Sequence, residues 1–407
     1  MMTTTAEIEI ISAAASNELR GRDILCFAND WSSDPLSKTH LMRVLAKDNR
    51  ILWVNAIANR MPTTSPKDVS RIYKKLKGFT EPIHKVEPNI FVLNPLAFPS
   101  YENKLILEVN QRFLASQVKK AMRRLQFENV VNMVFNPAAG MIAGRLGESE
   151  VIYYCVDEYS AFTGASRGLK EVEDDLFRRA DMVIVSGEKL FESKKHFNPN
   201  TFVIRHGTDW QHFRTALDPE LPIPPDIADL PRPIIGFHGL LADWIDYELI
   251  KKVAEHFKDG SIVLIGKVAV DAKQKIKIIN DVPNIHIVGR KLYDELPAYC
   301  KAFDVALNPF EINELTLAAN PLKVREYLAA GLPVVSTDIP EVRVLDDCLV
   351  GTDHDDFIRK IEQAIANPKP RNEVSDAVAH ESWESKVDEL REIMNHSEKN
   401  ARRSPTI

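Results

Sequence analysis

Six prolines stand between Asp218 and Pro233 and divide this chain into two stretches that repeat one pattern. Proline has no N–H to donate and its ring fixes φ, so a run this dense admits neither a helix interior nor a central strand. Before it, short apolar runs at 23–27, 51–54, 90–93, 130–135, 151–155, 182–185 and 202–204 read as buried strands, with helical periodicity at 38–47, 103–126, 168–180 and 188–195. After it the alternation restarts, with strands at 234–237, 262–265, 285–288, 305–307 and 334–336 and helices at 247–258, 293–302, 321–330 and 357–366. Apolar strands separated by helices imply parallel sheets covered on both faces, so the fold class is α/β with two doubly wound, Rossmann-like domains. A length of 407 residues fits two domains better than one core. We expect a first domain over 1–217, a stiff linker over 218–233, a second domain over 234–375, and a C-terminal helix and tail over 376–407 packing back toward the first. Facing domains of this kind hold ligands in a cleft at the carboxyl ends of their strands.

The balance of residues narrows the function. With 44% hydrophobic and 27% charged residues the chain is composed like a globular protein, and a net charge of −6 argues against a nucleic-acid binder. Cys26, Cys155, Cys300 and Cys348 lie far apart with no Cys-x-x-Cys pair, which suggests buried thiols in a reducing compartment. The first residues carry Glu7 and Glu9 and no basic start, a poor secretory signal, and no run approaches the length of a membrane span. The expected location is the cytoplasm, with room for contact with the inner face of a membrane. Residues 60–124 hold thirteen Lys and Arg against five Asp and Glu, a local excess of eight in an acidic chain. Apolar Ile72, Leu76, Phe113, Val118 and Met122 interleave with them, a pattern that suits anionic lipid or a lipid diphosphate. It reads equally as a solvated basic face over an ordinary core stripe.

The stretch 320–338 says most about chemistry. Asn320 suits a helix cap and Pro321 a first turn, while Gly331 and Pro333 stop the helix before an apolar strand. A helix start offers unpaired N–H groups and partial positive charge, and Lys323 adds a full charge, so phosphate is the natural ligand. Glu326, one turn deeper, accepts hydrogen bonds only when ionised and suits a sugar diol. The same residues also read as an ordinary capped helix with a solvated lysine.

With the turn Ile204-Arg205-His206-Gly207-Thr208-Asp209 and the run Gly236-Phe237-His238-Gly239, this stretch resembles nucleotide-sugar glycosyltransferases of the GT-B fold. The likeness is greatest to bacterial exopolysaccharide enzymes, the teichuronic-acid and xanthan-type glycosyltransferases in and near family 4. It runs from about Asp23 to Trp383 and is loosest in the first half. It implies that Gly239 lets the backbone approach the donor diphosphate, that Lys323 neutralises that diphosphate, and that Glu326 holds the ribose hydroxyls. His206 and Gly207 match the family's Asn-Gly-Val-Asp type of turn, which shapes the hinge and donor pocket. Two departures matter. The family's second glutamate, eight positions before Glu326, is Ala318 here. The basic residues that follow the opening glycine are replaced by Leu240-Leu241-Ala242-Asp243, which leaves more of the neutralisation to Lys323, with Lys267 as a second cation.

Sugar transfer also calls for a base on the acceptor hydroxyl. Asp157 follows the 151–155 strand where the xanthan-type enzymes carry their proposed catalytic aspartate, so the resemblance implies Asp157 as base, with Glu158 as its understudy. A strand-end aspartate is also a common helix cap. Asp30 and His40 flank the first loop and helix, where acceptor contacts occur in this fold, although each also reads as structural. Asp174-Asp175 has the wrong spacing for a metal-binding Asp-x-Asp, so no catalytic metal and no cofactor are expected beyond the nucleoside-diphosphate sugar, UDP-linked by preference. A base opposite the donor inverts the anomeric centre, whereas family 4 proper retains it, and the residues leave both open.

The implied activity is transfer of a sugar to a lipid-linked or saccharide acceptor in surface polysaccharide assembly. A nucleotide-sugar epimerase of similar architecture and a non-catalytic sugar-nucleotide-binding scaffold are the competing readings. A dinucleotide oxidoreductase is disfavoured because no Gly-x-Gly-x-x-Gly follows a strand.

Overall fold

The computed structural model describes residues 19–56, 83–96, 104–162 and 167–403. The chain divides into two compact units. The first takes the described residues up to Ser186 with Leu190–Ile204 and the chain from Lys386 on; the second takes Gly187–Lys189 and Arg205–Ser385.

The first unit is built on an eight-stranded sheet. Its elements in chain order are β1 (Asp23–Phe27), α1 (Ser37–Leu45), β2 (Arg50–Val54), β3 (Ile83–Glu87), β4 (Ile90–Leu93), α2 (Lys104–Leu125), β5 (Val131–Val134), β6 (Glu150–Cys155), α3 (Arg167–Arg179), β7 (Met182–Val185), α4 (Glu188–Lys194) and β8 (Thr201–Val203), although the start of α4 is grouped with the second unit. The strand order is β3-β4-β2-β1-β5-β6-β7-β8, parallel throughout except for the β3–β4 pair. All five residues of β1 are buried and so are all four of β5 and β7, as expected of strands covered on both faces. At the edge, β3 leaves His84 and Lys85 exposed, and such charge discourages pairing with another chain.

The second unit begins with α5 (Trp210–Arg214), then runs β9 (Ile234–His238), α6 (Tyr247–His256), β10 (Ser261–Ile265), β11 (Ile285–Gly289), α7 (Leu296–Ala302), β12 (Val305–Asn308), α8 (Glu314–Leu317), α9 (Leu322–Ala329), β13 (Val334–Thr337), β14 (Cys348–Gly351), α10 (His354–Ala366) and α11 (Arg371–Ala377). A last helix, α12 (Trp383–Arg403), starts in this unit and continues in the first. The sheet order is β11-β10-β9-β12-β13-β14, all parallel. Counted from β9 this is 3-2-1-4-5-6, the doubly wound order whose direction reverses between the first and fourth strands. That reversal opens a crevice beyond the carboxyl ends of β9 and β12. The proline-rich stretch belongs to this unit, where Ile227 is buried in the core and Asp226 bonds both Lys291 (2.5 Å) and Tyr299 (2.9 Å).

Helix α9 differs at its start from the expectation. Its N-cap is Pro321 with no side-chain cap, while Asn320 Oδ1 accepts from Arg325 Nη1 at 2.7 Å. Arg325 is fully buried, and an enclosed guanidinium needs acceptors more than a helix start needs a cap. The stop is as expected: Gly331 takes φ +75° and the Leu332 N–H reaches the Tyr327 carbonyl at 3.0 Å, a left-handed glycine cap.

Candidate functional site

In the second unit the residues expected at a donor site gather at the crevice. Gly239 follows β9 with φ +142°, and a Cβ there would stand 2.9 Å from Lys323 Cε. The Lys323 ammonium lies 5.5 Å from the Phe237 ring and 4.6 Å from the Phe310 ring, so two aromatic faces from the ends of β9 and β12 steer it. Glu326, one turn along α9, is 7% exposed. Burial pushes its carboxyl up to about 7, with the charge of Lys323 opposing and that of Asp209 adding. The group therefore changes charge near neutrality.

The loops are held in register by glycine. Gly239 N–H donates to the Ile265 carbonyl (2.9 Å) and Gly266 N–H to that of Gly289 (2.9 Å). Gly266 has φ +153°, and a Cβ there would lie 1.7 Å from the Gly239 carbonyl oxygen. Next to it, Lys267 is exposed, and its carbonyl accepts the Leu241 N–H at 3.0 Å.

The turn bearing His206 and Gly207 packs against 379–383: Thr208 N–H donates to the Glu381 carbonyl (2.8 Å), His206 lies 6.1 Å from the Trp383 ring, and a Cβ on Gly207 would meet that same carbonyl at 3.0 Å. His206 is buried, so the turn is a packed support, and its Asp209 caps α5 through the His212 N–H (3.3 Å). Ala318 is 4% exposed at the end of α8, so the position of the missing glutamate is filled by apolar packing.

Sequence reasoning passed over His238 and Gly266. His238 ends β9, its N–H donates to Tyr327 Oη at 2.7 Å, and its Nε2 stands 3.7 Å from Glu326 Oε2. Burial holds its imidazole down at about 3, with the charge of Lys323 adding, so it is neutral. The signal was the Phe-His-Gly run itself, in which only the glycine was given a role.

In the first unit Asp157 follows β6, partly buried, on a tightly held turn. Its carbonyl accepts from the Cys155 thiol (3.3 Å) and the Tyr159 N–H (3.0 Å), and Tyr159 Oη donates to the Phe135 carbonyl (2.9 Å). Glu158 turns inward: its carboxylate meets Lys194 Nζ at 2.7 Å and Ser160 Oγ at 2.6 Å, and it is 6% exposed. That ion pair makes Glu158 a brace for the turn and unsuits it as a base. Behind it, Tyr153 donates to Glu173, whose carboxyl burial pushes up to about 7. Lys38, in the first turn of α1, was also missed: burial lowers its basicity while the nearby Asp157 charge and Cys26 act the other way. Asp30 is exposed in the loop after β1 and its carbonyl accepts the Ser33 N–H (3.0 Å), whereas His40 is buried within α1.

Of the basic region, residues 60–82, with Ile72, Lys74, Lys75 and Leu76, and residues 97–103 lie outside the described residues; on α2 Arg112, Lys119, Lys120, Arg123 and Arg124 are exposed beside Phe113, whereas Val118 and Met122 are buried in the core. Among the described residues no helix is long and apolar enough to cross a membrane, and no cluster of three His, Cys, Asp or Glu is placed to hold a metal ion.

The class follows from the two parallel-sheet units: this is the GT-B fold of glycosyltransferases. Sucrose-phosphate synthase of Thermosynechococcus elongatus superposes with a TM-score of 0.68 over 94% of this chain and 100% of its own, at 14% identity. HepE of Anabaena, solved in complex with UDP, superposes at 0.54 over 94% and 98%, at 11% identity. Residues 232–367, which contain the crevice, match the family described as Glycosyl transferases group 1. A curated relative, the putative teichuronic acid biosynthesis glycosyltransferase TuaH of Bacillus subtilis (strain 168), is 24% identical over a 247-residue alignment that covers 56% of this chain and 62% of that protein. The resemblance to GT-B glycosyltransferases is thus present in domain and fold, and the curated relative, of whose length this chain covers less than two thirds, is of the teichuronic-acid type.

Proposed function

We propose that the protein transfers a sugar from a nucleoside-diphosphate sugar to a lipid-linked or saccharide acceptor in surface polysaccharide assembly. The observation that carries this reading is the convergence of Gly239, Lys323 and Glu326 at the strand-order reversal of the group 1 domain. Lys323 is a cation for the diphosphate leaving group, steered by Phe237 and Phe310, and Gly239 keeps the approach free of a side chain. Glu326, once ionised, accepts from the ribose hydroxyls. Lys267 adds charge from the neighbouring loop, and His206 and Gly207 support the pocket. The UDP complex of HepE supports a uridine nucleotide as the donor's leaving group.

On the acceptor side Asp157 takes the hydroxyl proton, with Asp30 and His40 flanking the acceptor. Leaving-group charge is met by Lys323 and the helix start, so the reading needs no metal ion. Four buried free thiols suit a reducing compartment, and the exposed cations of α2 suit the inner face of an anionic membrane.

Thermal-shift titration with UDP, GDP, ADP and CDP, followed by turnover of the matching nucleotide sugars with chelator present, tests the proposal. Stabilisation by one nucleotide and acceptor-dependent release of it are expected. Conversion of the nucleotide sugar without acceptor would point to an epimerase, and binding without turnover to a scaffold.

A further inference from the structure

Donor binding as proposed assigns no role to His238, although this side chain stands beside Glu326. It is 4% exposed, and its Nε2 has no hydrogen-bond partner among the described residues. Glu326 Oε2 stands 3.7 Å from it, just beyond hydrogen-bond length. The ring is held in place: its main-chain N–H is tied to Tyr327 Oη, its plane stacks on Phe213 (6.0 Å between centroids), and it meets the Tyr327 ring edge-to-face (4.6 Å). A buried polar atom left this way is costly, and a small shift toward Glu326 satisfies it.

The pair also has a chemical logic. A protonated carboxyl is a donor and an ionised one accepts only, so a fixed partner suits one form and opposes the other. Neutral imidazole is the exception, because Nε2 accepts in one tautomer and donates in the other. The groups that face Glu326 are Lys323 and Tyr327 on its own helix, Asp209 from the turn before α5, Cys300 on α7 and His238 on β9. Only Lys323 among them favours the ionised form through its charge.

We propose that His238 is the positioning residue for Glu326, holding its carboxyl in both charge states, so that uptake of a ribose diol turns the pair over and expels one proton. The inference rests on the donor-site reading above. In the step, the Glu326 O–H breaks, Nε2–H forms, the Nδ1 proton of the same ring leaves to solvent, and the imidazole is neutral before and after. The Glu326 carboxylate then accepts from the diol and from Nε2–H together.

The test is calorimetric titration of UDP at pH 7 in two buffers of different ionisation enthalpy, on the unaltered protein, Glu326→Gln, His238→Phe and His238→Gln. The unaltered protein should release about half a proton more than Glu326→Gln, which reports the nucleotide's own phosphate ionisation. His238→Phe should bind about tenfold more weakly at pH 7 and recover most of that at pH 8.5, since the lost partner leaves the carboxyl harder to ionise. His238→Gln, which keeps both a donor and an acceptor, should stay close to the unaltered protein. Equal proton release with and without Glu326, or a His238→Phe loss that is the same at both pH values, overturns the inference while leaving the donor site intact. If none of UDP, GDP, ADP and CDP binds, the donor-site reading itself fails and this inference with it.

Discussion

The α-carbon of Gly266 faces the carbonyl of Gly239 so closely that a methyl group on it would come within 1.7 Å of that oxygen. The loops after β9 and β10 therefore cross at a point where no side chain fits, and Gly239 in turn sits under Lys323. Gly266→Ala should cost on the order of 2–3 kcal/mol in unfolding free energy and disturb nucleotide binding, because strained φ adds to a backbone clash. Gly147→Ala has open space around it at φ +88° and should cost only about 1 kcal/mol. Urea unfolding of the two variants side by side checks the difference.

Lys323→Ala should lower kcat/KM for the donor by about ten- to a hundredfold, the scale of a lost charge-assisted contact of about 1.5–3 kcal/mol. The side chain is partly exposed and rests on ring faces, so the melting temperature should hardly move. A large drop in melting temperature with unchanged donor kinetics would make it a packing residue.

The pH dependence of stability has a defined sign for Glu326. Its folded-state value near 7 lies above the ordinary 4.5, so the folded protein holds a proton that the unfolded chain gives up. That contribution is full below pH 4.5 and disappears as pH rises through about 7, a change on the order of 3 kcal/mol. Glu173 acts in the same direction in the first unit, while His238, held down at about 3, stabilises the fold above its ordinary 6.5 and loses that as pH falls. Glu326→Gln should flatten part of the slope between pH 4.5 and 7 in denaturation curves, and a slope unaltered by it would refute the assignment.

Asp157→Asn should cut kcat by about 10²–10⁴-fold with nucleotide affinity preserved, the usual scale for a lost general base. Lys194→Met strands the Glu158 carboxylate in the interior and should destabilise by about 3–5 kcal/mol, as breaking one side of a buried pair does. Scanning calorimetry with single-turnover kinetics separates the two, and an Asp157→Asn enzyme of normal rate would remove the base role. Product NMR showing a retained anomeric centre would do the same.

Charge reversal at Arg123 and Arg124 should release the protein from anionic liposomes in flotation, each basic residue near the surface contributing about 1 kcal/mol. Failure of the unaltered protein to float at low salt would dispose of the membrane surface.

The strands and helices were legible because a doubly wound sheet buries its strands on both faces, and apolar runs such as 182–185 and 334–336 stand out from any neighbour. Two strands did not show. β3 reads Ile-His-Lys-Val-Glu because an edge strand needs no apolar face, and β14 is four residues beside Asp346 and Asp347. The short helices α5 and α8 were missed for the same reason of length, since a single turn carries no periodicity.

By itself the sequence determined the two alternating series, the capping glycine of α9 and the placing of Lys323 and Glu326 one turn apart, all of which follow from local rules of spacing and backbone freedom. Only the tertiary structure decided which side chains are enclosed. It brought Arg325 inside to take Asn320 from its expected cap, paired Glu158 with Lys194, and set His238 against Glu326. Those choices depend on contacts between residues 5, 36 and 88 positions apart and on how little water reaches them, and the charge of a buried group is a property of its surroundings.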